Sequence, residues 1–424
     1  NSYMLKLCYP RKYIIKWKEV IKMSKHKRIV NFGIIVFVLL VLMVSTIKVN
    51  ASNVSQEVYN QGVYEFPITP ESKEWKDFSS KTEMLEVCQI PEEILHNIST
   101  PDLVETVLNY PFINDFYCFN SEELAYKRIY EDFNGMRELL SRGDVTEAIL
   151  EKYNSTKILT AEEVDNVSNR VFLKSASVEF LLICDKIHNN FTDEEAGKIL
   201  EVANEKENER KEAGIYSSLS NVYLTYVNPM GISDNVEYAP ISSVDEDLDE
   251  ISSKEWEEEN NDEFETVAGE NWTPVKNIKT PKGTVVNEVY KRSPDYSNVE
   301  KKNIDNKMKS EYPKASKIGS PTIRYNCHSY AWYNPSPSNK YWINNAPEYI
   351  DDGSYISVSD NLRRGYKAYY GSGEHSGIIS GVFKRKGEQV IKIKSKWGRA
   401  GLYIHESDYG PYHSSIEYYK RSRK

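Results

Sequence analysis

The 424 residues carry a formal net charge of −9, a sum that conceals two opposed halves. Residues 52–275 hold 17 Lys+Arg against 48 Asp+Glu, whereas residues 276–424 hold 27 against 14. Cys88, Cys118 and Cys184 lie at irregular spacing with no CxxC and no His/Cys run, which argues against a simple zinc site and describes no disulfide framework.

In chain order, residues 1–22 read as an upstream extension before Met23. Lys25, Lys27 and Arg28 then form a cationic region, Gly33 to Val44 an unbroken apolar run, and Val49-Asn50-Ala51 a small-residue cleavage site. The run is shorter than the ~20 residues of a spanning helix. Residues 23–51 are therefore expected to be a signal peptide, with an uncleaved N-terminal anchor as the alternative. Either predicts a secreted or cell-surface protein that touches membrane only through this segment.

Residues 52–213 predict an acidic, all-helical domain. Start signals recur at Pro91-Glu92-Glu93, Thr100-Pro101, Ser121-Glu122-Glu123, Thr160-Ala161-Glu162-Glu163 and Thr192-Asp193-Glu194-Glu195. Leu103, Val104, Val107 and Leu108 follow helical spacing, as do Val178, Leu181 and Leu182. Cys88, Cys118 and Cys184 read as small buried hydrophobes, and the Cys184/His188 pair as core packing. Residues 214–275 predict an acidic linker, since Asp245 to Glu265 holds twelve acids and one Lys.

Residues 276–424 change texture. A strand is expected at Thr284–Tyr290 and a helix at Ser297–Tyr312. Tyr325–Tyr333 (YNCHSYAWY) reads as a short helix. Strands follow at Tyr366–Tyr370, His375–Phe383, Val390–Ser395 and Gly401–His405, with Gly387 at a turn. The fold class is α+β: a helical domain, then a Cys-bearing helix packed on an antiparallel sheet.

Cys327 is the candidate nucleophile. Asn326, a favoured N-cap residue, places it in a first turn where the dipole and free N–H groups stabilise a thiolate or an oxyanion. His375 opens an alternating strand after Gly371-Ser372-Gly373 and is the candidate base. Folding the hairpin about Gly387 brings Lys394, Ser395 or Lys396 toward His375; of these Ser395 is the candidate third member. His328, Trp332 and Trp397 are expected to line a substrate groove. His405 and His413 read as surface histidines, and no metal or other cofactor is expected.

The order of a Cys at a helix N-terminus, a Gly-led strand, a loop and a His opening the next strand resembles the papain-like NlpC/P60 and CHAP superfamily. The likeness covers roughly residues 320–400, and NCHSYAW with the later SKWG is similar to an uncharacterised branch of it. Two features depart from the pattern: Tyr366 stands where the family often has an acid, and the third polar residue has no obvious counterpart. The resemblance implies a cysteine peptidase or amidase acting by acyl transfer on a peptide or amide bond, in cell wall or secreted protein. A narrower variant is acyl transfer to an amine. The rival expectation is a non-enzymatic exported module that binds wall or glycan through an inactive papain-like domain. The basic C-terminal half predicts an anionic cell-wall polymer or peptide as partner and no specific nucleic acid.

Overall fold

The computed structural model describes residues 62–159, 163, 169–212, 271–371 and 373–422. The leader, Gly33–Val44, the start signal at residue 160 and the acidic stretch 245–265 lie outside them.

The described residues between 62 and 212 fold as helices, several of whose starts follow from side-chain caps. Ser80 and Glu83 close a capping box before Lys81–Glu86. Ser99 accepts from the Asp102 N–H ahead of Thr100–Leu108, with Pro101 in the first turn. Ser121 accepts from the Leu124 N–H at the head of Glu122–Asp132. Thr192 and Glu195 exchange the reciprocal pair of bonds at the start of Asp193–Glu212. Leu103, Val104, Val107 and Leu108 are all buried, so the apolar stripe of that helix is its core face.

Among the described residues ten strands follow: β1 (Asn271–Pro274), β2 (Val289–Ser293), β3 (Ser316–Gly319), β4 (Trp342–Ile343), β5 (Tyr355–Val358), β6 (Lys367–Tyr370), β7 (His375–Arg385), β8 (Glu388–Lys396), β9 (Leu402–Glu406) and β10 (Ile416–Arg421). β1 takes up residues that the sequence assigns to the acidic linker. A three-stranded sheet runs β1-β2-β4, and a seven-stranded one runs β3-β9-β8-β7-β6-β10-β5. Every pairing is antiparallel. The helix Asn298–Glu311, boxed by Ser297 and Glu300, precedes β3. Lys386 and Gly387, both at positive φ, make the two-residue turn between β7 and β8. β6 pairs with β7 only up to Ile378, and β9 pairs with β8 only from Lys392. The far end of the hairpin is therefore a two-stranded ribbon extending past its neighbours, with Phe383 38% exposed on it.

The charge boundary near residue 275 divides surfaces and not cores, for Val63–Lys424 forms one compact unit. Trp75 Nε1 donates to the Glu311 carbonyl at 2.8 Å. Lys81 Nζ donates to Asp115 Oδ2 at 2.7 Å and to the Tyr312 hydroxyl at 2.6 Å. The Tyr312 hydroxyl donates in turn to Asp115 at 2.6 Å, and its ring meets both Phe112 and Trp397. Buried aromatic faces from both halves thus cover each other, which a pattern of surface charges cannot reveal.

Candidate functional site

The segment around Cys327 is held from its first residue. Asn326 is buried, and its Oδ1 accepts the Ser329 N–H at 3.0 Å, the bond of an N-cap to the third residue of the turn. The same oxygen accepts the Ile343 N–H at 3.2 Å, while Nδ2 donates to the Ile343 carbonyl at 2.7 Å, pinning the cap to β4. The turn then widens to a π-helical one over Ser329–Tyr333, closed by Asn334 N–H donating to the Ser329 carbonyl.

Cys327 is 1% exposed. Its sulfur lies 3.1 Å from Asn120 Nδ2 and 3.4 Å from Asn120 Oδ1. The Ser376 and His328 backbone groups near it favour the thiolate, as Asn120 does. Burial pushes the thiol up to about 11 against these groups, so the sulfur carries its proton at neutral pH.

His375 is 0% exposed and pairs in register with Tyr370. Its ring lies on Tyr412 with centroids 3.6 Å apart and 12° between planes, and meets Tyr370 edge-on. Among the described residues neither ring nitrogen has a hydrogen-bond partner, so no Cys327–His375 bond is present. Burial, then His405 and His328 nearby, hold the imidazole well below its ordinary value. Alternation along β7 explains the separation: successive side chains point to opposite faces, and it is Ser376 that meets the Cys helix. Ser376 Oγ lies 2.8 Å from His328 Nδ1 and accepts from Trp332 Nε1 at 2.8 Å.

Ser395 does not orient His375. Its hydroxyl lies 2.9 Å from His405 Nε2, while His405 Nδ1 lies 2.8 Å from the Glu406 carbonyl. A carbonyl only accepts, so Nδ1 carries the proton and the Ser395 hydroxyl donates to Nε2. His405 is buried, contrary to the surface expectation, because β9 lies between β3 and β8; burial pushes it down to about 4. Lys396 also turns from His375. Its Nζ donates to the carbonyls of Thr322, Gly398 and Ala400 at 3.0, 2.6 and 2.6 Å, and burial pushes it down to about 7.

The expected groove residues are interior. His328 bonds to Ser376 and to the Gly373 carbonyl, and burial pushes it down to about 4. Trp332 packs among Tyr349, Tyr355, Tyr369 and Tyr419. Trp397 stacks on Tyr403 at 4.0 Å. All three belong to the packed core around the site, and none of them lines an open groove.

Sequence reasoning misses what lies over the sulfur. Residues 117–128 of the helical half are clamped onto three loops of the other half. The Tyr117 carbonyl accepts the Arg399 and Ala400 N–H groups at 2.7 and 3.1 Å, and the Cys118 carbonyl accepts the Tyr412 hydroxyl. Glu122 pairs with Arg399. Arg128 donates to Glu374, beside His375, at 2.9 Å and to Ser414 at 2.7 Å. A contact across more than two hundred positions leaves no local pattern to read.

Among the described residues no group of three or more His, Cys, Asp or Glu side chains is placed to hold a metal ion, and no helix is long and apolar enough to cross a membrane. No protein-family model, curated protein or solved structure matches the chain.

Proposed function

We propose that the protein is an exported papain-like cysteine peptidase or amidase, held here in a closed form, with Cys327 as nucleophile and His375 as base. The observation that carries this reading is the Asn120 amide donor at the Cys327 sulfur, together with a buried His375 imidazole that has no hydrogen-bond partner among the described residues. Buried polar atoms are almost always bonded, and an exception calls for a reason such as catalysis. In the reaction His375 leaves Tyr412 and takes the thiol proton, and the thiolate adds to a peptide or amide carbonyl. The imidazolium returns the proton to the leaving amine, and water then hydrolyses the thioester. The substrate bond is in cell wall or secreted protein, and the basic half holds its anionic polymer.

The rival is a non-enzymatic wall- or glycan-binding module. The protonated, 1% exposed thiol and the missing Cys327–His375 bond favour it.

Iodoacetamide labelling of Cys327 from roughly pH 5 to 9, brackets set by the reference thiol pKa of about 8.5, separates the two. Cys88, Cys118 and Cys184 are followed apart by peptide mapping. Labelling well below that pKa, slowed in His375→Ala, supports the hydrolase. An ordinary thiol profile that His375→Ala leaves unchanged ends it in favour of the binding module.

A further inference from the structure

We infer that Asn120, on the helical half of the chain, is a further catalytic residue, whose Nδ2–H donates to the Cys327 sulfur as the thiolate forms. The inference rests on the cysteine-hydrolase reading for its chemical consequence, and on geometry for the rest.

Asn120 is 7% exposed, and both ends of its carboxamide face Sγ, Nδ2 at 3.1 Å and Oδ1 at 3.4 Å. The amide is not engaged in ending or starting its own turn. The helix beginning at Glu122 is capped by Ser121, which leaves the neighbouring side chain free to reach across the chain. Its backbone is fixed on both sides, by the Tyr117 and Cys118 carbonyls before it and the Glu122–Arg399 pair after it. Gly398 makes the close approach possible. A Cβ there would stand 2.5 Å from the Cys118 carbonyl carbon, and its φ of +39° favours glycine besides.

A carboxamide suits a sulfur that changes charge. Against the thiol it works both ways, the S–H donating to Oδ1 while Nδ2–H donates to sulfur. Against the thiolate only the second bond survives, and it gains strength because its acceptor is now an anion. Asn120 thus supplies a donor at the place where negative charge appears, in a buried site. The site is therefore composite, its nucleophile coming from one half of the chain and a stabilising donor from the other.

The test compares Cys327 alkylation at pH 8 in the full chain, wild type against Asn120→Leu and Asn120→Asp, with thermal melts to establish that each variant folds. Leu keeps bulk over the sulfur and removes the donor; Asp keeps the shape and turns a carboxylate oxygen to it. The expected order is wild type fastest, Asn120→Leu about tenfold slower, and Asn120→Asp slower still, as loss of a hydrogen bond to a charged group predicts. An Asn120→Leu rate equal to or above wild type would overturn the inference and leave Asn120 as a mere cover. His375→Ala, measured alongside, reports on the base separately. If it matches wild type while Asn120→Leu is slowed, the Cys–His reading fails and the Asn120 donor stands.

Discussion

The His375 imidazole lies flat against the Tyr412 ring, 3.6 Å away, with neither nitrogen bonded to any of the described residues. A histidine so placed costs stability in acid. Its folded-state pKa is held low by burial, so as pH falls below the ordinary value near 6.5 the unfolded chain takes the proton first. Stability is intact above about pH 6.5 and is lost below it. His375→Phe keeps a ring on Tyr412 and removes that term. Relative to wild type, the variant should gain up to about 1.4 kcal/mol per pH unit below pH 6.5 in urea unfolding and show no such trend above. The difference curve is the proper readout, because Glu300 and Glu311, pushed up by burial to about 7 and about 8, run the opposite way in both proteins. Parallel curves for the two proteins would mean that the imidazole is not buried as described.

Lys396 gives its three hydrogens to three carbonyls on the loops that flank Cys327. Lys396→Met preserves the length of the stem and strands those carbonyls. A loss of roughly 3 kcal/mol or more is expected from chemical denaturation, given the cost of unsatisfied buried acceptors.

Asp115 is the shared acceptor of Lys81 and Tyr312, so it joins the helical half to the strand-rich half. Asp115→Ala would leave the Lys81 ammonium, itself buried, without its counter-charge. The expected cost is about 3–5 kcal/mol. Fluorescence and far-UV circular dichroism should report a single coincident unfolding transition for wild type, and two separate transitions would contradict the shared core.

Gly398→Ala places a methyl group against the Cys118 backbone. Backbone cannot yield as a flexible side chain can, so residues 117–122 should lift from the loop. Lower thermal stability is expected in thermal melts; a melting temperature equal to that of wild type would show that this close approach does not hold the clamp.

The projecting β7–β8 ribbon carries Lys384, Arg385, Lys386 and Lys392 around the exposed Phe383, with Arg385 and Lys392 over its ring. Arg385 is engaged by Glu406, whereas Lys384 and Lys386 extend into solvent. The double variant Lys384→Gln, Lys386→Gln should bind an anionic wall polymer more weakly and with a shallower dependence on salt, measured by co-sedimentation from about 0.05 to 0.3 M NaCl, a range over which the screening length shortens appreciably.

Much of the strand-rich half is legible because its signals are local. Alternation in HSGIISGVF and a glycine at 387 specify β7, its turn and β8, and Ser297 with Glu300 announces the helix that follows. β10 carries no alternating signal, because Ile416–Arg421 has tyrosines and charges on both faces and lies between β5 and β6. The site was legible only in part. Asn326 caps the turn as its type and position suggest, yet the side of β7 on which His375 falls depends on a register that no pattern in the chain states. Ser395 has the expected neighbourhood and a different partner, since β9 delivers His405 to it first. Net charge, the strongest signal along the chain, describes solvent-facing residues and says nothing about which aromatic faces meet underneath.

The clamp of residues 117–128 onto the loops at 374, 398–400 and 412–414 also bears on how such a chain can be inherited. A recombination event at the acidic stretch would transmit Cys327 without Asn120, and would leave Tyr312 and Trp397 without the surface that hides them. A donor lineage could pass on either half only together with its complement. The two halves should therefore descend as one heritable block, with insertions accumulating between them and exchange of partners selected against.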